Sequence, residues 1–162
     1  MSQVRLDYAA FRKQAPTVAD ALTAISKTAK ENGLEPDLIE LLKIRASQIN
    51  GCAFCLQYHL NEARKLGVAA EKLDLVAVWH EAGIYSKREE VALAWTEALT
   101  EVSRIGAPDE LYADVVATFG DTQALFLTVA VATINTWNRI AIAFGFAPPI
   151  PKAAPVASRA AG

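Results

Sequence analysis

Two thiols and an imidazole stand close together in the segment Asn50-Gly51-Cys52-Ala53-Phe54-Cys55-Leu56-Gln57-Tyr58-His59. Placed on one helix, Cys52 and Cys55 differ by about 300° and Cys55 and His59 by about 400°, so all three fall within about 60° of azimuth. One face then carries both sulfurs and the ring. Asn50-Gly51 breaks a helical pattern, which puts Cys52 at the start of the helix that follows, where unpaired N–H groups and the helix dipole favour an anion. A C-x-x-C thiol so placed commonly has a lowered pKa, and a histidine four residues beyond the second thiol can accept its proton. These types and spacings point to a reactive dithiol with a base beside it.

The base works better when a carboxylate orients it. Glu40 lies twelve residues before Cys52, and on one unbroken helix the two would be about 18 Å apart. A reversal at Asn50-Gly51 changes that. Glu40 then stands ten residues before the turn and His59 eight after it, at heights of about 15 and 12 Å on neighbouring antiparallel helices. The reading predicts a Glu40–His59 contact, with Glu62, three residues beyond His59, as the local competitor. On the same hairpin Arg45 would lie roughly level with Cys55 and lend positive potential to a thiolate.

The elements that must hold this hairpin are all helical. A short helix is predicted over 7–14, and Thr17 is the expected N-cap of a longer one ending at Asn32-Gly33. Pro36 suits the first turn of a third helix through about Ile49, where a missing N–H costs nothing. A fourth starts near Cys52 and ends at Gly67, with Leu56, Leu60, Ala63 and Leu66 as its apolar stripe. Another covers about Ala70–Ala82. Ser86-Lys87-Arg88-Glu89 fits a capping box opening a helix to about Arg104, and Pro108 and Asp121 mark further starts after Gly106 and Gly120. The predicted fold is an all-α bundle around a central antiparallel hairpin, one domain over 1–146. A Pro/Ala-rich extended tail over 147–162 follows, because Phe146–Pro155 holds four of the seven prolines.

Size and charge limit the partners. At 162 residues, and with about two-thirds of the unfolded surface buriable, a self-sufficient core is expected. Sixteen basic against eighteen acidic side chains give a net charge of −2, without the basic excess of a nucleic-acid binder. The apolar run Leu125–Ala132 is interrupted by Thr128 and is too short to cross a bilayer, and Arg5 and Asp7 precede any apolar stretch that could serve as a secretory signal. The cytoplasm is the expected compartment, with no membrane and no nucleic acid as partner. Two cysteines three positions apart cannot cross-brace a fold, and in a reducing compartment they suggest redox or metal chemistry. Neither a Gly-rich nucleotide loop nor a nucleophilic-serine elbow occurs, and no cofactor or metal is expected.

The run from Glu40 through Leu41-Leu42-Lys43-Ile44-Arg45-Ala46-Ser47-Gln48-Ile49-Asn50-Gly51-Cys52-Ala53-Phe54-Cys55 to His59 resembles the alkyl hydroperoxidase D-like branch of the carboxymuconolactone decarboxylase family. Similarity continues through Ala92–Thr100 and Ile134–Arg139. The resemblance implies a helical protein assembled as a trimer or hexamer that reduces peroxides with a cysteine pair and no haem or metal. In those terms the catalytic residues are Glu40, Cys52, Cys55 and His59. Cys55 would attack the peroxide oxygen, Cys52 would resolve the sulfenic acid into a Cys52–Cys55 disulfide, and an external thiol donor would reduce it. His59 and Glu40 would relay protons. Alkyl hydroperoxidase D has a second histidine close to its cysteine pair, whereas Ala53 and Phe54 stand between the thiols here. Attack by Cys52 remains open, because that residue has the better helix-end position.

Other readings compete. Two cysteines at i, i+3 can be small buried hydrophobes, and Cys52, Cys55, His59 and Glu40 could in principle ligate zinc. His80 reads as a surface or packing residue outside the site. Tyr58, Phe54, Trp79 and Trp95 read as core more readily than as a pocket. At the level of function, the alternatives are a decarboxylase-type lyase, which needs no cysteine pair, and a non-catalytic oligomer whose thiols sense oxidants or bind a partner.

Overall fold

Pro36 sits at the first turn of the helix against which the other elements pack, and Glu35 before it is extended, as a residue ahead of proline prefers. The computed structural model describes residues 3–151 of the chain. Its helices are α1 (Tyr8–Gln14), α2 (Pro16–Glu31), α3 (Pro36–Ile49), α4 (Ala53–Lys65), α5 (Ala70–Leu75), α6 (Trp79–Ala82), α7 (Lys87–Thr100), α8 (Val102–Ile105) and α9 (Asp109–Phe144). Every regular element among the described residues is helical. From residue 152 onward the expected tail lies outside the described residues; before that, residues 146–151 carry no helix, and Asn61 Nδ2 donates to Pro149 O at 2.9 Å.

α3 is buried on nearly every side. Leu41, Leu42, Ile44 and Ala46 are each 0% exposed, and the helix touches α4, α7 and α9 at once. Leu38, Ile39 and Leu42 pack with Val91, Ala92 and Trp95 of α7 and with Val115, Leu127 and Val131 of α9. Leu41 and Ile44 face Ala63 of α4, Leu73, Val76 and Leu93. A third group joins Ala46, Cys52 and Cys55 to Phe11, Ala19, Ile134, Ala141 and Phe146, so the dithiol is part of the apolar packing between α4 and α9.

The reversal ahead of the dithiol is a Schellman closure. Gly51, in the left-handed region at φ 68°, donates its N–H to Gln48 O at 3.1 Å, and Cys52 N–H bonds Ser47 O at 3.0 Å, satisfying the last carbonyls of α3. Cys52 is also the N-cap of α4, its sulfur accepting from Cys55 N–H at 3.3 Å. One residue thus ends α3 and starts α4.

Three local boundaries differ from those predicted, and the stop expected at Gly120 is present as a kink. Ala15, not Thr17, occupies the cap of α2, because Pro16 takes the first helical position, where its ring fits. The helix expected over 70–82 is broken by a 3₁₀ turn at Val76–Val78. In that tighter turn positions three apart eclipse, and Val76 and Trp79 both enter the core. The helix from Ser86 keeps its capping box but stops at Thr100; Glu101 leaves helical geometry before α8. Gly120, expected as a stop, interrupts α9 at φ 71°, ψ 165°. By length and composition α9 could cross a bilayer, but here Leu127, Val131, Ile134 and Asn138 are buried in the bundle.

The N-terminal segment covers the far end of α9: Arg5 and Leu6 N–H both bond Phe144 O, at 2.9 and 3.2 Å. There Gly145 has φ 68°, and a Cβ on it would sit 2.7 Å from Gln3 O, whereas a Cβ on Gly51 would meet nothing within 4 Å. Gly51→Ala is therefore expected to cost only the left-handed backbone penalty, about 1–2 kcal/mol. Gly145→Ala should cost clearly more, a ranking that urea denaturation of the two variants checks.

Candidate functional site

Glu40 Oε2 and His59 Nδ1 are 2.7 Å apart, across the α3–α4 hairpin. Glu62 turns away to Lys65 Nζ at 2.6 Å. The second carboxylate oxygen of Glu40 binds Lys43 Nζ at 3.0 Å. All three side chains are largely buried, 10–14% exposed. Burial works to raise the pKa of Glu40, but the His59 hydrogen bond and the positive charge around it prevail and hold the carboxyl below its ordinary range. Burial also dominates at His59, where it disfavours the cation; the contact with Glu40 offsets this only in part, and the pKa is lowered. At neutral pH the site therefore holds a carboxylate and a neutral imidazole. Because the carboxylate only accepts, Nδ1 carries the hydrogen and Nε2 keeps its lone pair as a base.

The two sulfurs are 2.7 Å apart, both as free thiols and both nearly buried, at 2% and 3% exposure for Cys52 and Cys55. Their contact drives the two acidities apart. Cys52 is brought down to about 7, first by the hydrogen bond from the Cys55 thiol, against burial and with help from the Cys55 backbone N–H. Cys55 is pushed up by the same contact, by burial and by the negative charge on Cys52. The anion belongs on Cys52, at the helix start.

Access favours the other sulfur. Cys55 and His59 line a cavity of about 160 Å³ whose walls come from five helices. Tyr8 of α1, Phe54 and Tyr58 of α4, and Ile134 and Trp137 of α9 make it apolar, while Thr23 and Ser26 of α2 and Lys43 of α3 supply polar groups. Tyr8 lies between Phe54 and Trp137, with ring centroids at 5.1 and 6.3 Å. Cys52 does not reach the wall. His59 and Cys55 make no direct hydrogen bond, so a small polar molecule in the cavity would bridge them.

All four residues singled out in the sequence are thus within one site, Glu40 touching His59 and Cys52 touching Cys55. They do not converge as a metal-ligating group, nor does any set of three such side chains among the described residues. Arg45 does not serve the thiolate. It lies about 140° around α3 from Glu40, facing α7, and its Nε donates to Glu97 Oε1 at 2.6 Å. Trp79 Nε1 binds the same oxygen at 2.8 Å, and His80 stacks on Trp79 with most of its side chain exposed, outside the site as expected. Of the four aromatics considered, Phe54 and Tyr58 line the cavity and Trp79 and Trp95 are core. Sequence reasoning missed Lys43, Tyr8 and Trp137. The i, i+3 spacing of Glu40 and Lys43 was a usable signal for the first; nothing local marks the other two.

Comparison with known proteins gives the family and the fold. Residues 16–98 match the model of the carboxymuconolactone decarboxylase family. The chain belongs to that family. A Bacillus subtilis relative, the uncharacterized protein YdfG, is 37% identical over 131 residues, which are 81% of this chain and 89% of the relative. A crystal structure from Agrobacterium tumefaciens superposes with a TM-score of 0.84 at 38% identity, over 92% of this chain and all of that one. That family member is of unknown function, with a provisional description as the antioxidant defence protein AhpD.

Two outcomes follow from the titrating groups. The thiolate of the reduced dithiol should form with an apparent pKa near 7, against 9 for an ordinary thiol, as read from the pH dependence of its ultraviolet absorbance. Folding stability should also depend on pH. His59 and Glu40 both hold fewer protons folded than unfolded, so their contribution is present at high pH. It is lost as pH falls, first below the ordinary histidine value of 6.5 and then below the carboxyl value of 4.5. Urea unfolding measured from about pH 8 to about pH 5 should show that first loss, and His59→Gln should flatten it.

Proposed function

We propose that the protein is a cysteine-pair peroxidase that reduces peroxides through a Cys52–Cys55 disulfide. The observation that carries this reading is the placement of Cys55 and His59 together on the wall of one cavity, with Cys52 behind as a stabilised thiolate. A peroxide in the cavity meets the Cys55 sulfur. Relayed by a small polar molecule in the cavity, the Cys55 proton passes to Nε2 of His59, whose developing charge Glu40 stabilises, and the sulfur attacks the nearer peroxide oxygen. The O–O bond breaks, Cys55 becomes a sulfenic acid, and His59 returns the proton to the departing alkoxide, releasing alcohol. The Cys52 thiolate then attacks the Cys55 sulfur and displaces hydroxide, which takes a proton and leaves as water. Two electrons have passed from the dithiol to the peroxide, and an external thiol donor returns them by exchange.

The mostly apolar wall suits an organic hydroperoxide at least as well as hydrogen peroxide. The resemblance noted in the sequence also leads us to propose a homo-oligomer, trimer or hexamer, as the working form.

The decisive measurement is hydroperoxide consumption with dithiothreitol as reductant. Cys55→Ser should abolish it. Cys52→Ser should retain a single turnover and leave a sulfenic acid that dimedone traps. His59→Gln should slow the first step by about 10²-fold, the lower range for loss of a positioned base. Full turnover by Cys55→Ser would overturn the scheme.

A further inference from the structure

We propose that Asn138 is a catalytic residue of the dithiol, its side-chain amide donating a hydrogen bond to the sulfur pair and so favouring the thiolate. This rests on the reading of Cys52 and Cys55 as the reacting groups. It adds a residue outside the segment that matches the family model, which ends at residue 98.

The placement comes from α9. Ile134, Asn138 and Ala141 fall within about 60° of one another around that helix, and Ile134 and Ala141 pack in the same buried group as Cys52 and Cys55. The residue between them on that stripe is an amide, 0% exposed, among otherwise apolar neighbours. An apolar side chain would pack there at lower desolvation cost unless the amide has partners to satisfy.

Its orientation is settled by its neighbours. Asn50 Nδ2 binds the backbone carbonyl of Ala46 at 3.0 Å, so that atom of Asn50 must be the nitrogen. Asn50 Nδ2 also lies 2.9 Å from the side chains of both Asn135 and Asn138, and each turns its oxygen toward it. The Asn138 amino group consequently points the other way, where one hydrogen reaches Ser47 Oγ at 3.1 Å. A second hydrogen remains. A fully buried amide proton needs an acceptor, and we assign it to the sulfurs, since Cys52 N–H bonds the carbonyl of the same Ser47 and the stripe that carries Asn138 packs on both thiols. In keeping with this, a hydrogen bond from the Asn138 side chain lowers the pKa of both thiols. Because it acts on both, the amide can stabilise charge on either sulfur, including that on Cys55 when it loses its proton to attack.

The test reads the thiolate itself and does not depend on peroxide turnover. In folded, reduced Asn138→Leu the apparent pKa read from the ultraviolet absorbance of the thiolate should rise by about one unit, lowering the thiolate fraction near pH 7 about fivefold. Ser47→Ala removes only the other partner of the amide and should leave that profile in place. A profile unchanged in Asn138→Leu, or shifted equally by Ser47→Ala, overturns the proposal. Should the leucine variant fail to fold, the wild-type protein decides: in ¹⁵N NMR the Asn138 side-chain amide should titrate with the dithiol and shift on its oxidation, and an amide signal indifferent to both overturns it. If the amide titrates while hydroperoxide is not consumed, the peroxidase reading fails and this assignment stands.

Discussion

The closure of α3 by Gly51 and Cys52 is the constraint from which the rest of the site follows. The backbone has to satisfy the last carbonyls of a helix buried on nearly all sides, and it does so with the N–H groups of two successive residues, the first of them in a conformation open chiefly to glycine. The chain is thereby turned back on itself with no spare loop. Cys52 passes directly from the end of one helix to the cap of the next, which fixes its sulfur against the Cys55 N–H in the first turn of α4. The same reversal sets the register of the two helices, and that register brings Glu40 to His59.

Burying an acid, a lysine and an imidazole together is costly, since each loses water. The arrangement compensates by giving both carboxylate oxygens of Glu40 a partner, Lys43 on one and His59 on the other. Lys43 thus allows the carboxylate to stay ionised beside a histidine that burial keeps neutral. A neutral ring with one nitrogen held is what a proton acceptor needs, whereas an imidazolium would have nothing left to accept.

Acidity and access are divided between the two sulfurs. Helix-end N–H groups and a neighbouring thiol make Cys52 the anion, while the cavity reaches Cys55. A dithiol split in this way would suit the proposed resolving role of Cys52, whose thiolate stands behind the sulfur that faces the cavity. Apolar packing around both, from Ile134, Ala141 and Phe146, keeps water out and makes each remaining hydrogen bond to sulfur count for more.

Much of this was legible in the residues alone, and the reason is that the signals are local. Helix starts at Pro36 and Ser86, the stop at Asn50-Gly51 and the shared face of Cys52, Cys55 and His59 depend only on backbone geometry and period over a few residues. Even the Glu40–His59 contact needed nothing beyond a reversal and a count of rises on either side. What local rules could not supply was the outcome of competition between distant parts. The 3₁₀ turn at Val76–Val78 exists because Val76 and Trp79 both seek the same core, and Arg45 goes to Glu97 because α7, not α4, lies on its side of α3. Which sulfur is reachable was decided only when Tyr8, Ser26, Lys43 and Trp137 met around one cavity, and the amide of Asn138 reached the dithiol only when α9 was laid across the hairpin. Side chains so far apart along the chain carry no mutual periodicity; only packing puts them side by side.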